Sequence, residues 1–442
     1  MLENSPIETL AKDAVTYAKT QKAAHVEIEM RHTHTRIVSW ETAAIVGAVA
    51  MAPKERITAT VRVYDSAGRA GVATGSAVKQ KSLNALVDQA VEQAKLSTAG
   101  AHVGPASRYE AGEIGLGILD RRYERIDDES RLDVVDMNVQ AANGVDGAEA
   151  ASFRYTEIRM RRTVCSTAGV SRTEDSTEYI LVGSVRQTGT DITIEGTVRS
   201  RHFADVGSLP LGADLARRVV TYADEGELPE GSVPLVLEPR VIAQIMEAVL
   251  PAFDRSSVAA GESFLSEGMK VGSDKLHMID DSLRSGGPQS RAFDARGVPG
   301  LDLPLIREGY VGALYQGVEA AREMDSRPSG HEGLKGVWPG NLLLRSGVRS
   351  RNMMYPDLGV FLRIDDLTST GKWFDLKTGV LTLKGHFFCA DGPSECRYVG
   401  IRTIRTTFID LWSAIREIGN DQQRFGMVDV STWVVEGINV KA

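Results

Sequence analysis

From His25 to Val38 apolar and polar positions alternate: Val26, Ile28 and Met30 fall on one side, charged residues and histidines on the other. A period of two predicts a half-buried strand. Ahead of it, Ile7, Leu10, Ala11, Ala14 and Ala18 repeat at helical spacing. Ser5, Pro6 and Glu8 read as cap, first helical position and capping-box partner. Residues 57–75 predict a hairpin that turns at Asp65-Ser66-Ala67-Gly68. Leu83, Leu86, Val87, Ala90 and Ala94 make one face of a second helix. Residues 1–100 thus read as one module of helix, strands and helix.

The stretch from Leu96 to about Gly117 has little periodicity and reads as loop. A helix is expected over 127–143, with Asp127, Asp128 and Glu129 favouring its N-terminus. Strands are expected over 150–164, 178–186 and 191–199; their Thr- and Arg-rich alternation suits an antiparallel sheet with one exposed face. A short helix over 213–223 closes this middle module, 117–225. The run DEGELPEGSVP is a linker. The third module, 233–442, opens with an apolar strand, a proline and a helix, VLEPRVIAQIMEAVL. The class is therefore α+β: a helix and mixed-strand module, a middle antiparallel module, and a sheet-rich C-terminal domain.

The 442 residues exceed one ordinary core, in keeping with several domains. The 43 glycines predict many tight turns. A net charge of −8 gives no basic field, so nucleic acid is not an expected partner. Cys165, Cys389 and Cys396 are too few for a disulfide framework, which points to a reducing compartment. The N-terminal residues lack the apolar run of a signal peptide, and no run reaches membrane-spanning length. A cytoplasmic location is expected.

Candidate chemistry is sparse. His32 and His34 share one strand face, but two ligands make a weak metal site, and an exposed face is the plainer reading. His331-Glu332 lacks a second histidine one turn on. Ser263, in Gly261-Glu262-Ser263-Phe264-Leu265, sits in half of a nucleophile elbow whose second glycine is replaced. Gly115-Leu116-Gly117 starts a dinucleotide fingerprint that is not completed. The pairs Asp280-Asp281 and Asp365-Asp366 are expected to be solvated.

One long run is more specific. Ser263-Phe264-Leu265, Asp280-Asp281, Arg291-Ala292-Phe293-Asp294 and Gly297-Val298-Pro299 resemble the core of the TldD/PmbA family. An expected strand from Ile306 to Tyr315, GNLLLRSG at 340–347, EIGND at 417–421 and the ending VEGINV are similar to family stretches, and the likeness covers nearly the whole chain. The resemblance implies a metallopeptidase of two kinds of subunit. The TldD type carries zinc on H-E-x-x-x-H in the helix that opens the last domain, with a later cysteine. The PmbA type, also called TldE, lacks it. Here the matching places hold Gln244, Ile245 and Val249, which cannot supply that ligand set.

The resemblance therefore implies a TldE-like subunit with no cofactor of its own and no catalytic residues, the zinc coming from a TldD-type partner. Its expected role is to shape a cleft for an unfolded or modified peptide, with Gln244, Asp280, Asp281, Arg291, Asp294 and Gly297 as cleft residues. A homodimer is expected when the partner is absent. Two departures stand out: residues 363–392 match the family only loosely, and Arg296 stands where an acidic residue or glycine is common. Alternatives are a stand-alone peptide-binding protein, a divergent member serving a natural-product peptide pathway, or a hydrolase built around His32, His34 or Ser263.

Overall fold

The computed structural model describes residues 6–441 except 22, 43–46, 99–103, 108, 111–114, 209, 224, 369–372 and 393–395. Ser5 and part of the 96–117 loop fall outside the described residues. The N-terminal half contains α1 (Ile7–Thr20), β1 (His25–Glu41), β2 (Val49–Ala50), β3 (Lys54–Tyr64), β4 (Ala70–Ser76), α2 (Gln80–Leu96), α3 (Asp128–Asn143), β5 (Ala148–Ser166), β6 (Ser171–Gln187), β7 (Thr193–Ser200), α4 (Phe203–Ser208) and α5 (Leu211–Val219).

Alternation in β1 places Val26, Ile28 and Met30 in a core with Ile7, Ala11, Ala14 and Ala18 of α1 and the apolar face of α2. Strands β3 and β4 form the expected hairpin, whose turn is fixed by Asp65 Oδ1 accepting from the backbone N–H groups of Ala67 and Arg69. Helix α3 is capped by the Asp127 side chain, which accepts from Ser130 N at 2.8 Å.

The strands of residues 1–100 and 117–225 share one sheet. Its order is β4-β3-β1-β5-β6-β7, with β2 on β1, because long β1 pairs with β3 on one side and β5 on the other. A strand of seventeen residues is long enough to template both hairpins. Helices α3 and α5 cover the β5–β7 part of the sheet.

The C-terminal half begins with β8 (Leu235–Leu237) and α6 (Pro239–Val249), then β9 (Met278–Asp281), β10 (Asp302–Arg307), β11 (Tyr310–Val311), β12 (Asn341–Leu344), β13 (Val360–Leu367), β14 (Val380–Asp391), β15 (Arg397–Thr407), β16 (Ile415–Ile418), β17 (Gln423–Phe425), β18 (Val428–Val430), β19 (Trp433–Val435) and β20 (Val440–Lys441). They make a second sheet, β11-β10-β9-β12-β18-β17, and a third, β16-β19-β8-β13-β14-β15-β20. The main core lies between these sheets: Met278, Leu305 and Leu342 from the second meet Leu237, Ile364 and Phe387 from the third. Strand β8 is buried on both faces, which explains its unbroken apolar run.

The single strand expected from Ile306 to Tyr315 is instead the end of a hairpin. Glu308 and Gly309 have φ of 50° and 73°, the left-handed pair that a tight two-residue turn requires. A Cβ at Gly309 would lie 2.2 Å from the Gly272 carbonyl oxygen, so the turn also needs glycine for room.

No helix among the described residues is long and apolar enough to cross a membrane.

Candidate functional site: the opening helix and the seam between halves

Helix α6 starts at Pro239, whose missing N–H costs nothing at a first helical position. Val241, Ile242, Ile245, Met246 and Val249 are 0% exposed and form its core face. Burying Ile245 alone stabilises by about 1.5–3 kcal/mol. Arg240, Gln244 and Glu247 follow at i, i+4 and i+7 and form the other face, with Gln244 and Glu247 exposed. The Glu247 carboxylate accepts from the backbone N–H of Met427, and Arg199 of β7 lies within its electrostatic reach. The polar face of α6 thus looks toward the β7 edge of the first sheet.

This face does not fit a zinc ion. It offers one carboxylate and no imidazole or thiolate, while Ile245 and Val249 point into the core. No group of three or more His, Cys, Asp or Glu able to hold a metal occurs among the described residues.

The other residues expected at a cleft gather where the two halves meet. Asp294 is fully buried, and its carboxylate accepts from the backbone N–H groups of Arg296 (2.8 Å), Val298 (3.0 Å) and Glu332 (3.1 Å). Burial, helped by the Glu332 carboxylate, pushes its pKa up to about 6. Gly297 closes this turn at a φ of 78°, and a Cβ there would lie 2.6 Å from Val170 of the first half. Arg296 reaches across the seam. It donates to Glu27 Oε2 at 2.6 Å, to Glu332 Oε1 at 2.6 Å and to the Tyr64 hydroxyl at 2.8 Å.

Arg162, fully buried on β5, donates to the carbonyl of Asp294 and pairs with Glu174 at 3.0 Å. Arg291 donates to the carbonyls of Gln289, Pro339 and Trp338, and burial lowers its pKa to about 10. The Trp338 ring receives Arg291, Arg162 and Arg31 at 4.5, 4.9 and 5.5 Å. Asp280 accepts from the Tyr315 hydroxyl at 2.5 Å and from Gly340 N at 2.9 Å, with His331 Nε2 at 3.3 Å. Burial would raise Asp280, but His331 and the Tyr315 hydrogen bond hold it below the ordinary carboxylate range.

Several expectations are corrected here. Asp280, Arg291, Asp294 and Gly297 are buried and tie the chain to itself, so they do not present side chains to a ligand; only Gln244 and half-buried Asp281 reach solvent. Asp280 is not a solvated acid, because the Tyr315 hydroxyl, the Gly340 N–H and His331 take the place of its water. Nor are Asp365 and Asp366, at 7% and 9% exposure: Tyr222 donates to Asp365 at 2.8 Å and Arg218 pairs with Asp366. His32 and His34 are not on a bare face. His32 meets Glu55 at 2.6 Å, and His34 Nδ1 meets the Tyr123 hydroxyl at 2.7 Å. Ser263 donates to the Ala252 carbonyl at 2.7 Å, a structural bond of a turn. No local pattern marks Arg162, Tyr315 or Trp338 as parts of the seam, because their partners lie far along the chain. Arg296 carried one, as a departure from the family pattern.

Residues 230–442 match the family model described as the PmbA/TldA metallopeptidase C-terminal domain. A metalloprotease of Methanocaldococcus jannaschii is 27% identical over 165 residues, 35% of this chain and 37% of that protein, so the match spans little more than a third of that relative. TldE from Thermococcus kodakarensis superposes with a TM-score of 0.85 at 15% identity, over 98% of this chain and 100% of that one. A candidate DNA gyrase modulator from Bacteroides thetaiotaomicron superposes with a TM-score of 0.87 at 15% identity, over all of both chains. The whole chain thus has an α+β fold shared with these structures, and its C-terminal part matches a metallopeptidase domain model. The family match is carried by residues 230–442, and the fold of the whole chain is similar to that of TldE and of the candidate gyrase modulator.

Proposed function

We propose that the chain is the zinc-free, TldE-type subunit of a two-subunit metallopeptidase. A TldD-type partner would bring the zinc and the catalytic glutamate. This chain would complete the cleft that holds an unfolded or modified peptide. The observation that carries the reading is the phase of α6: the helix keeps its place and its proline start, while Ile245 and Val249 are locked in the core.

In this reading the peptide runs along the polar face of α6, beside Gln244. Strand β7 ends the first sheet with one side unpaired among the described residues, so an extended peptide can add to it by backbone hydrogen bonds. Asp280, Arg291, Asp294 and Gly297 set the wall behind that path by fixing the seam. The cytoplasm is the proposed compartment, and the same surface is proposed to pair two copies when no partner is present.

The test is association. The purified chain should hold less than a tenth of a zinc per molecule by elemental analysis. Light scattering should show a dimer alone and a mixed complex with a TldD-type subunit. A persistent monomer that ignores the partner would overturn the reading.

A further inference from the structure

A cavity of about 400 Å³ lies at the end of β9 and β12, away from α6, and nothing in the seam uses it. This is within the range of small-ligand sites. Its lining includes Lys275, His277, Arg345 and Ser346, with Asp274 and Glu417 as the acids. Both acids already have cations. Asp274 has Lys275 at 3.6 Å, and Glu417 has Arg349 at 3.2 Å. Arg345 forms no ion pair among the described residues; its guanidinium meets only His277 Nε2, at 3.5 Å. The cavity is therefore left with an uncompensated guanidinium beside an imidazole. A guanidinium fork matches a carboxylate in shape and charge.

The surface next to the cavity narrows the ligand. Side chains alternate across β9, so His277, Ile279 and Asp281 share its outer face while Met278 enters the core. Register places Ile279 between Leu343 of β12 and Pro304 of β10. Ile279 is 41% exposed, unusual for an isoleucine inside a sheet. Two residues further, Asp281 stands directly across from Asp302. The face thus runs from a cationic cavity over an apolar strip to a pair of like carboxylates that repels a carboxylate end. Phosphate alone would leave the apolar strip unused.

On the reading that the chain handles peptides, we infer that this cavity takes the free C-terminal carboxylate of a peptide, with the preceding apolar side chain on Ile279 and Leu343. The carboxylate pairs with Arg345, and the peptide runs along the outer face of the second sheet toward Asp281. The site selects a chain end, so it reads peptides that have been cut or have a natural terminus nearby.

The test is calorimetric titration of the full chain with the tetrapeptide Ala-Leu-Leu-Ala as free acid and as C-terminal amide, with inorganic phosphate as a third probe. The acid is expected to bind about tenfold or more tighter than the amide, the loss of one charge-assisted contact. Arg345→Gln should abolish that difference while the fold, followed by circular dichroism, is kept. Arg345→Lys should restore part of it. Equal binding of acid and amide, an unchanged difference in Arg345→Gln, or competition by phosphate at equal concentration would overturn the inference. Partner activation on a peptide blocked at both ends reports on the subunit reading alone, so the two can fail separately.

Discussion

The Arg296 guanidinium and Glu27 Oε2 lie 2.6 Å apart, joining residues 269 positions apart in sequence across the seam. Arg296 is 2% exposed and Glu27 is 1% exposed. Removing one member of such a pair leaves the other charge buried without its counter-ion. Arg296→Ala is expected to cost about 3–5 kcal/mol. Glu332 and Tyr64 lose a donor in the same variant, so separate unfolding of the two halves is expected. Urea melts followed by tryptophan fluorescence check this; a loss below about 1 kcal/mol would show that the clamp is not needed.

Asp281 and Asp302 face each other across β9 and β10, and burial together with the opposing carboxyl pushes Asp281 up to about 6. The folded state therefore favours the protonated pair. Its stabilisation is present at low pH and is lost as pH rises through about 6. Arg284, from the following loop, opposes this only in part. Asp302→Asn should raise the melting temperature at pH 8 and have little effect at pH 5. A larger gain at pH 5 than at pH 8 would contradict the assignment.

His386 stacks on Tyr222 at 3.9 Å and meets the Tyr398 hydroxyl at 2.9 Å; burial lowers its pKa to about 4. The unfolded imidazole titrates near 6.5, so the unfolded chain binds the extra proton first. Stability should fall as pH drops from about 6.5 toward 4, by on the order of 3 kcal/mol. Asp365 and Arg218, its charged neighbours, act in opposite directions. His386→Phe should flatten that part of the stability–pH curve. An unchanged slope would place the titrating group elsewhere.

Installing H-E-x-x-x-H at 244–249, as Gln244→His, Ile245→Glu and Val249→His, should not create a zinc site. Two of the three new side chains would enter a closed core. The expected result is an insoluble or strongly destabilised chain, because an unpaired buried carboxylate alone costs several kcal/mol. A folded variant with stoichiometric zinc by elemental analysis would mean that the phase of α6 is misjudged.

Much of the fold is legible in local pattern. Val26, Ile28 and Met30 mark β1, Pro239 marks the start of α6, and Asp127 caps α3, because each signal is complete within a few residues. The joining of 1–100 and 117–225 into one sheet is not, because β1 carries no mark of how many neighbours it takes. The seam is also hidden. Asp280 looks like a solvated acid until Tyr315, Gly340 and His331, 35 to 60 positions away, supply its hydrogen bonds. Glu308-Gly309 was a readable turn, but an apolar run on both sides masks it as one strand. For the candidate site, the exposed place of Gln244 follows from helical periodicity, while the burial of Asp294 and Arg291 does not follow from any local rule.

In the proposed function, this chain lacks the zinc chemistry and completes it in a partner. The most direct measurement is the rate at which a zinc-loaded TldD-type subunit cleaves an unfolded peptide, with and without equimolar amounts of this chain. No cleavage is expected from this chain alone, and mixing is expected to raise the rate about tenfold or more, an increase that a chelator abolishes. Chelator-resistant cleavage by the chain alone, or an unchanged partner rate, would contradict it.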